Sequence, residues 1–318
     1  MLKKSRKSIT PSRDTRTLGT ELQNQVTRDF DTLSALEIAR AINAEDQKVP
    51  KAIEFALPEI ARAIDAVAEA LRNRGRLIYV GTGTSGRLGA LDASECPPTF
   101  NSKPESVQYV IAGGDRALGH AVEASEDWTE RARGDIARKR IRRTDVVCGI
   151  TASGRTPFTL AAVEYALSKG ATTICVTANP GSPITKLVDI AIAVDVGPEV
   201  IAGSTRMKAG TMQKLVLNMI TTGAFTLLGY VYGNLMVNMH LKNGKLMERG
   251  IGIVSQLTGV DEGTAARLLR RAAGSVPVAV LMERAGLTRA KAERRLAEAG
   301  GSLRRALQSH NDRNISLS

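Results

Sequence analysis

The sequence predicts an α/β protein: a doubly wound, mostly parallel five-stranded sheet of flavodoxin-like type, with N-terminal helices and a small C-terminal helical domain. Three observations predict it. Short apolar runs alternate with segments of helical period between residues 67 and 230. The runs are apolar throughout rather than at every second residue, as in strands covered on both faces. Most end in glycine or small polar residues, as where a strand gives way to a loop at the carboxyl edge of a sheet.

Residues 1–18 read as a basic flexible tail, in which Lys3, Lys4, Arg6, Lys7, Arg13 and Arg16 face a single acid, Asp14. Residues 19–66 form an N-terminal helical segment, with a first helix at Leu33–Ile42 and Asp31 and Thr32 as caps. Val49-Pro50 opens a longer helical region, where Ile53, Ala56, Ile60, Ile64, Val67 and Leu71 recur at helical spacing. Pro58 restarts or kinks it, and Asn73–Gly75 ends it.

The sheet domain occupies 67–230. Its strands are expected at Leu77–Val80, Val107–Ala112, Val146–Ile150, Thr173–Val176 and Ile190–Val194. Helices are expected at Ser85–Ala93, Ala117–Arg140, Pro157–Lys169 and Thr205–Leu228, with Pro157 at a permitted first-turn position. Residues 231–318 read as short Ala-, Arg- and Leu-rich helices punctuated by Gly263, Gly274, Gly286 and Gly300-Gly301.

Composition narrows the function. With 43% hydrophobic residues among 318, a sizeable core is within reach. Aromatics at 3% argue against a stacking platform for single-stranded nucleic acid. The net charge of +12 gathers at the ends: the tail, and residues 261–318 with eleven basic against six acidic side chains. A solvated tail and charged helical surface explain this. Nucleic acid is the rival partner, but no reading motif accompanies the charge.

Cys96, Cys148 and Cys175 offer neither a disulfide framework nor a CxxC pair, and two of them sit inside strand runs as buried thiols. His120, His240 and His310 are far apart and form no HExxH motif, so no metal is expected. No uncharged apolar run reaches membrane length, and no apolar stretch follows the basic start, so a cytoplasmic protein without membrane partners is expected.

Three loops carry the chemistry. Gly81-Thr82-Gly83-Thr84-Ser85-Gly86 matches the dinucleotide fingerprint G-x-G-x-x-G between a strand and a helix. That site also needs an acid at the end of the second strand, and Asp115 follows only after Gly113-Gly114, so NAD fits poorly. Thr84-Ser85-Gly86-Arg87 is echoed by Ala152-Ser153-Gly154-Arg155 after the third strand, and by Gly203-Ser204-Thr205-Arg206 before the last long helix. One such loop is explained by an ordinary helix cap. Two matched loops on one sheet edge, with a third nearby, predict an anion cradle at helix N-termini. No Walker lysine follows, so a phosphate on a small sugar fits better than a nucleotide.

The run Gly81–Gly89, followed by Leu91-Asp92-Ala93-Ser94-Glu95-Cys96-Pro97-Pro98-Thr99, resembles the signature of the N-acetylmuramic acid 6-phosphate etherases. Ala121–Asp127, Gly203–Thr211 and Gln213–Asn218 are similar to that family's further segments. The resemblance covers roughly 18–250 and continues weakly to about 307. It implies a sugar isomerase (SIS) sheet, a homodimer, no cofactor or metal, and cleavage of the lactyl ether of a sugar phosphate. Such cleavage needs one base for the C2 proton and one acid for the departing oxygen.

By resemblance Glu95 is the proton donor and Glu126 the base, with Glu123, one turn earlier, as the alternative to Glu126. Ser153, Gly154, Arg155 and Thr156 would cradle the phosphate, with Ser204 and Thr205 as further candidates. Thr84, Ser85 and Arg87 would hold the sugar or its acyl groups, and Lys208 either balances phosphate charge or is a helix-surface lysine. An aldose–ketose isomerase and a non-catalytic sensor resembling the glucokinase regulatory protein are the rival readings on this fold.

Overall fold

Five apolar runs form the strands β1 (Leu77–Gly81), β2 (Val107–Ile111), β3 (Val146–Ile150), β4 (Thr172–Thr177) and β5 (Ile190–Ala193) of a computed structural model. It describes residues 18–308 apart from 240, 242 and 243, so the basic tail before Leu18, His240 and His310 lie outside the described residues. The strands pair in the order β2-β1-β3-β4-β5, every pairing parallel. All residues of β1 and β3 are buried, which is why neither shows the alternation of a one-faced strand.

Contacts divide the chain into two units, residues to Ala93 with Glu105–Thr221, and Ser94–Pro104 with the chain from Thr222. In the first unit lie α1 (Ala35–Asp46), α2 (Lys48–Glu54), α3 (Leu57–Arg72), the start of α4 (Gly83–Phe100), α5 (Arg116–Gly119), α6 (Thr129–Arg138), α7 (Pro157–Ser168), α8 (Pro183–Leu187) and most of α9 (Lys208–Leu227). The N-terminal helices thus join the sheet unit. Residues 94–104, expected in the sheet domain, go with the C-terminal helices.

Ile78, Val80, Val110 and Val147 pack with Ala132 and Ile136 of α6 and Phe158, Ala161 and Ala162 of α7. α3 lies against β1, β3 and β5 and buries Ile60, Ala63 and Val67, the stripe its period predicts. α4 approaches so closely that a Cβ on Gly89 would lie 2.9 Å from Tyr79 Cβ. Cys96, Cys148 and Cys175 are all buried, and burial raises the Cys175 thiol to about 12, far from the reactive thiolate range.

Several elements depart from the sequence pattern. The single helix expected over Ala117–Arg140 is α5, a 3-10 turn at Glu123–Asp127, and α6. α1 begins after Ser34, whose N–H donates to Glu37 Oε2 at 2.8 Å, so the cap lies two residues beyond Thr32. α4 continues through Pro97 and Pro98 to Phe100 instead of ending at Ala93.

In the second unit α10 (Gly244–Thr258), α11 (Glu262–Arg271), α12 (Val276–Arg284) and α13 (Arg289–Glu298) bury Val254, Leu269, Val280, Leu281 and Ala292 in one cluster. Asp261 caps α11 by accepting from Thr264 N, as its place before the helix predicts. Among the described residues no helix is long and apolar enough to cross a membrane.

Candidate active site

Strand order reverses between β1 and β3, which are hydrogen-bonded neighbours although the chain visits β2 between them. Ligands on such sheets bind beyond the carboxyl ends of the strands at this point. A cleft of about 500 Å³ opens there, lined by Thr82 between β1 and α4, by Gly83, Thr84, Ser85 and Arg87 of the first turns of α4, and from the β3–α7 loop by Thr151, Ala152, Ser153 and Thr156. Gly203 and Thr205 line a third side; Val122, Ser125 and Glu126 close a fourth.

The glycines of the first loop serve close packing. A Cβ on Gly81 would lie 2.8 Å from Gly86 N, and one on Gly86 would lie 2.6 Å from Ile111 Cγ1, so neither position admits a side chain. The tip of α4 is thereby seated on β1 with its N-terminus at the cleft. Asp115 meanwhile accepts a hydrogen bond from Tyr109 Oη at 3.1 Å, so the nearest acid to the fingerprint is already engaged.

In the second loop Thr151 Oγ1 lies 2.9 Å from Thr156 Oγ1 and accepts from Gly154 N at 3.2 Å, while Ser153 Oγ accepts from Arg155 N at 3.2 Å. Gly154 has φ +68, and a Cβ on it would lie 2.0 Å from Ser182 Oγ. Hydroxyls at the N-terminus of the twelve-residue α7 form a donor-rich wall suited to an anion.

Of the residues expected at the site, Thr84, Ser85, Arg87, Glu126, Ser153, Thr156 and Thr205 line the cleft. Gly154, Arg155, Ser204 and Lys208 do not. Ser85 donates to Gln213 Oε1 at 2.9 Å in a buried contact, tying α4 to α9. Lys208 is buried, its Nζ 2.7 Å from Glu45 Oε2, so neither a helix-surface lysine nor a cleft cation is what the fold places there. Its backbone N–H and that of Ala209 donate to Glu199, each at 2.9 Å. Burial pushes the Glu199 carboxyl upward, against these hydrogen bonds.

Several lining residues were not among those expected, Thr82, Thr151, Leu18 and Glu21 among them. Thr82 and Thr151 are the first residues after β1 and β3, a matched position that a comparison of the two loops could have flagged. Leu18 and Glu21 come from an N-terminal strap that crosses the sheet edge. Gly203 N donates to Thr20 O at 3.0 Å, Asn179 Nδ2 to Thr20 Oγ1 at 3.2 Å, and Thr27 Oγ1 to Val200 O at 2.8 Å.

Glu126 stands on the 3-10 turn, exposed to the cleft, with Thr82 Oγ1 donating to its Oε1 at 3.3 Å. The Glu123 side chain lies outside the described residues. The second unit has its own cleft of about 560 Å³, whose described lining, including Met239, Leu269, Arg270 and Pro277, carries no carboxylate. Of these two clefts, only the one at the sheet edge unites helix tips with acids.

Known proteins agree with the fold and extend it. Residues 59–167 match the glucokinase regulatory protein N-terminal SIS domain, and 132–223 match the SIS domain. The N-acetylmuramic acid 6-phosphate etherase of Symbiobacterium thermophilum is 54% identical over 270 residues, 85% of this chain and 90% of that protein. Those of Aliivibrio fischeri ES114 (49% over 294 residues, 92% and 98%) and Actinobacillus pleuropneumoniae serotype 5b (47% over 288 residues, 91% and 95%) are similar along nearly their whole length. This chain belongs to the N-acetylmuramic acid 6-phosphate etherase family. It is an enzyme of the carbon–oxygen lyase class.

Within the etherase signature Leu91–Thr99 the two acids have different environments. Asp92 is buried and accepts from Tyr79 Oη at 2.8 Å, Asn218 Nδ2 at 2.7 Å and Thr221 Oγ1 at 3.2 Å. Burial raises its pKa, with those hydrogen bonds acting the other way. Asp92 thus ties α4 to β1 and α9. Glu95, one turn on, is exposed, belongs to the second unit and is not among the residues lining the sheet-edge cleft.

Proposed function

We propose that this etherase cleaves the D-lactyl ether of N-acetylmuramic acid 6-phosphate to N-acetylglucosamine 6-phosphate and D-lactate, as a cytoplasmic homodimer without metal or cofactor. The observation that carries the reading is the position of Glu126, facing a cleft whose other wall is the hydroxyl-lined tip of α7. The printed names of the relatives support the substrate.

In this reading the phosphate rests against Ser153, Thr156 and the N-termini of α7 and α4, where backbone dipoles favour negative charge. The open-chain sugar carries an aldehyde at C1, which acidifies the C2 proton. Glu126 removes that proton. The electron pair becomes the C2–C3 double bond as the C3–O bond breaks, and lactate leaves with a proton from the general acid. Water then adds, hydroxyl to C3 and proton to C2, so the net reaction consumes one water. Glu95 is our candidate for the acid, on the strength of the signature Asp92–Pro98 alone. The carboxylate Oε1 of Glu126 accepts from Thr82 Oγ1, which orients the side chain at the cleft.

The test is to incubate the purified protein with the muramic substrate and measure D-lactate. Lactate and N-acetylglucosamine 6-phosphate should appear in equal amounts, with one solvent deuterium at C2 when the reaction runs in D2O. Ketose formation without lactate would support an isomerase, and binding without turnover would support a sensor; either result overturns the proposal. Glu126→Gln should lose C2 exchange, and Glu95→Gln should lose lactate release while sugar phosphate still binds.

A further inference from the structure

We infer that Arg87 is a positioning residue for Glu126 and not a substrate contact. Two of its three guanidinium nitrogens are engaged within the protein: Nε donates to Ala117 O at 2.9 Å and Leu118 O at 3.2 Å, and Nη2 donates to His120 O at 2.9 Å. These carbonyls belong to α5 and its exit, where the last turn of any helix leaves acceptors without partners.

The segment so held leads straight into the acid. Ala117, Ala121, Val122, Ser125 and Glu126 all line the cleft, and Glu126 follows His120 by six residues, on the 3-10 turn Glu123–Asp127. Beneath it Gly113 has φ +88, and a Cβ there would lie 3.2 Å from both Ala117 Cβ and Val122 Cβ, so the loop is seated on a glycine. Thr82 holds the carboxylate itself. Thr82 and Arg87 flank the start of α4, so one rigid strand–helix turn fixes the loop at its root and at its functional end. A planar fork that meets three carbonyls is specific to arginine, since a lysine ammonium has no second nitrogen to span them.

This inference rests on the reading of Glu126 as the base. The experiment compares Arg87→Lys and Arg87→Ala with wild type and Glu126→Gln, measuring kcat, KM and C2 deuterium exchange, with and without added guanidinium ion. Misplacing a reacting group by about 1 Å can cost on the order of 100-fold. Both Arg87 variants should therefore lose about 10- to 100-fold in kcat and in C2 exchange, with KM changed less than about 3-fold. Guanidinium should restore part of the loss in Arg87→Ala and none in Glu126→Gln. A KM raised about 10-fold or more with kcat retained would place Arg87 on the substrate and overturn the inference. Wild-type kcat in Arg87→Lys and Arg87→Ala with an inactive Glu126→Gln would overturn it while sparing the base assignment. A fully active Glu126→Gln would overturn the base assignment and the inference with it. If Arg87→Ala fails to fold, Arg87→Lys carries the same comparison.

Discussion

Replacing Lys208 by methionine should destabilise the fold and leave substrate affinity untouched. The Lys208 Nζ lies 2.7 Å from Glu45 Oε2, with 1% and 3% of the two side chains exposed. Burial by itself would raise the Glu45 pKa, but hydrogen bonds and charges from Lys208 and Lys48 outweigh it and hold the carboxyl below its ordinary range. Removing one member of a buried pair costs about 3–5 kcal/mol, because the other charge stays desolvated. Lys48, 2.5 Å from Glu45 Oε1 but 57% exposed, remains after the substitution, so the lower end, about 3 kcal/mol, is expected. At roughly 2–4 °C per kcal/mol for a unit of this size, the melting temperature should fall by about 6–12 °C. A Lys208→Met/Glu45→Leu double variant should recover most of that loss, since two apolar side chains replace a desolvated pair. Thermal melts and KM for the sugar phosphate, measured on the same samples, decide the matter. An unchanged melting temperature with KM raised about tenfold would show that Lys208 reaches the ligand, and the reasoning would fail.

Two further outcomes follow from the same geometry. Gly154→Ala forces a left-handed backbone on an L-residue, worth about 1–2 kcal/mol, and drives its Cβ to 2.0 Å from Ser182 Oγ; KM should rise, and Ser182→Gly in the same chain should restore it in part, whereas an unaffected KM would remove the β3–α7 loop from the anion site. Asp145 is buried; burial would raise its pKa, but hydrogen bonds from Arg76 and Arg142 outweigh this and lower it. Its folded pKa therefore lies below the unfolded value of about 3.9, so its contribution is complete above that pH and is lost as pH falls through the folded value. Equilibrium unfolding followed from pH 6 downward should show this loss, and Asp145→Asn should flatten the dependence; an unchanged slope would mean that other carboxylates govern acid unfolding.

The strands were legible because burial on both faces leaves a continuous apolar run, as in Val146-Val147-Cys148-Gly149-Ile150. The two matched loops were legible because a helix tip close to a ligand restricts its residues to glycine and small hydroxyls, whichever strand precedes it. The path of residues 117–128 was not. Its alanines and acids suit a helix, and what diverts it is tertiary: the Arg87 guanidinium takes the carbonyls of Ala117, Leu118 and His120. The start of α9 at Lys208 rather than Thr205 has a similar cause, since Glu199, nine residues earlier, accepts from Lys208 N. Local period carries no trace of such partners.

Polar residues near this cleft therefore fall into two kinds that the sequence does not separate. Irregular backbone leaves N–H and C=O groups without ladder partners, and each needs a side chain if it is to be buried. The strap at 18–27 and the loop at 112–128 are built of short helical turns and irregular links, and each brings a carboxylate, Glu21 or Glu126, to the lining of the cleft. Arg87 satisfies that backbone in the loop, while Asn179 Nδ2 donates to the Thr20 hydroxyl and Thr27 Oγ1 ties the strap to Val200 O. A motif places such residues beside the ligand in the linear order, which invites a binding role for all of them. Hydrogen-bond accounting adds what the lining does not show: Arg87, Ser153 and Thr156 all line the cleft, but Arg87 places its Nε and Nη2 donors on carbonyls of the 117–120 segment, whereas the Ser153 and Thr156 hydroxyls bond within the β3–α7 loop.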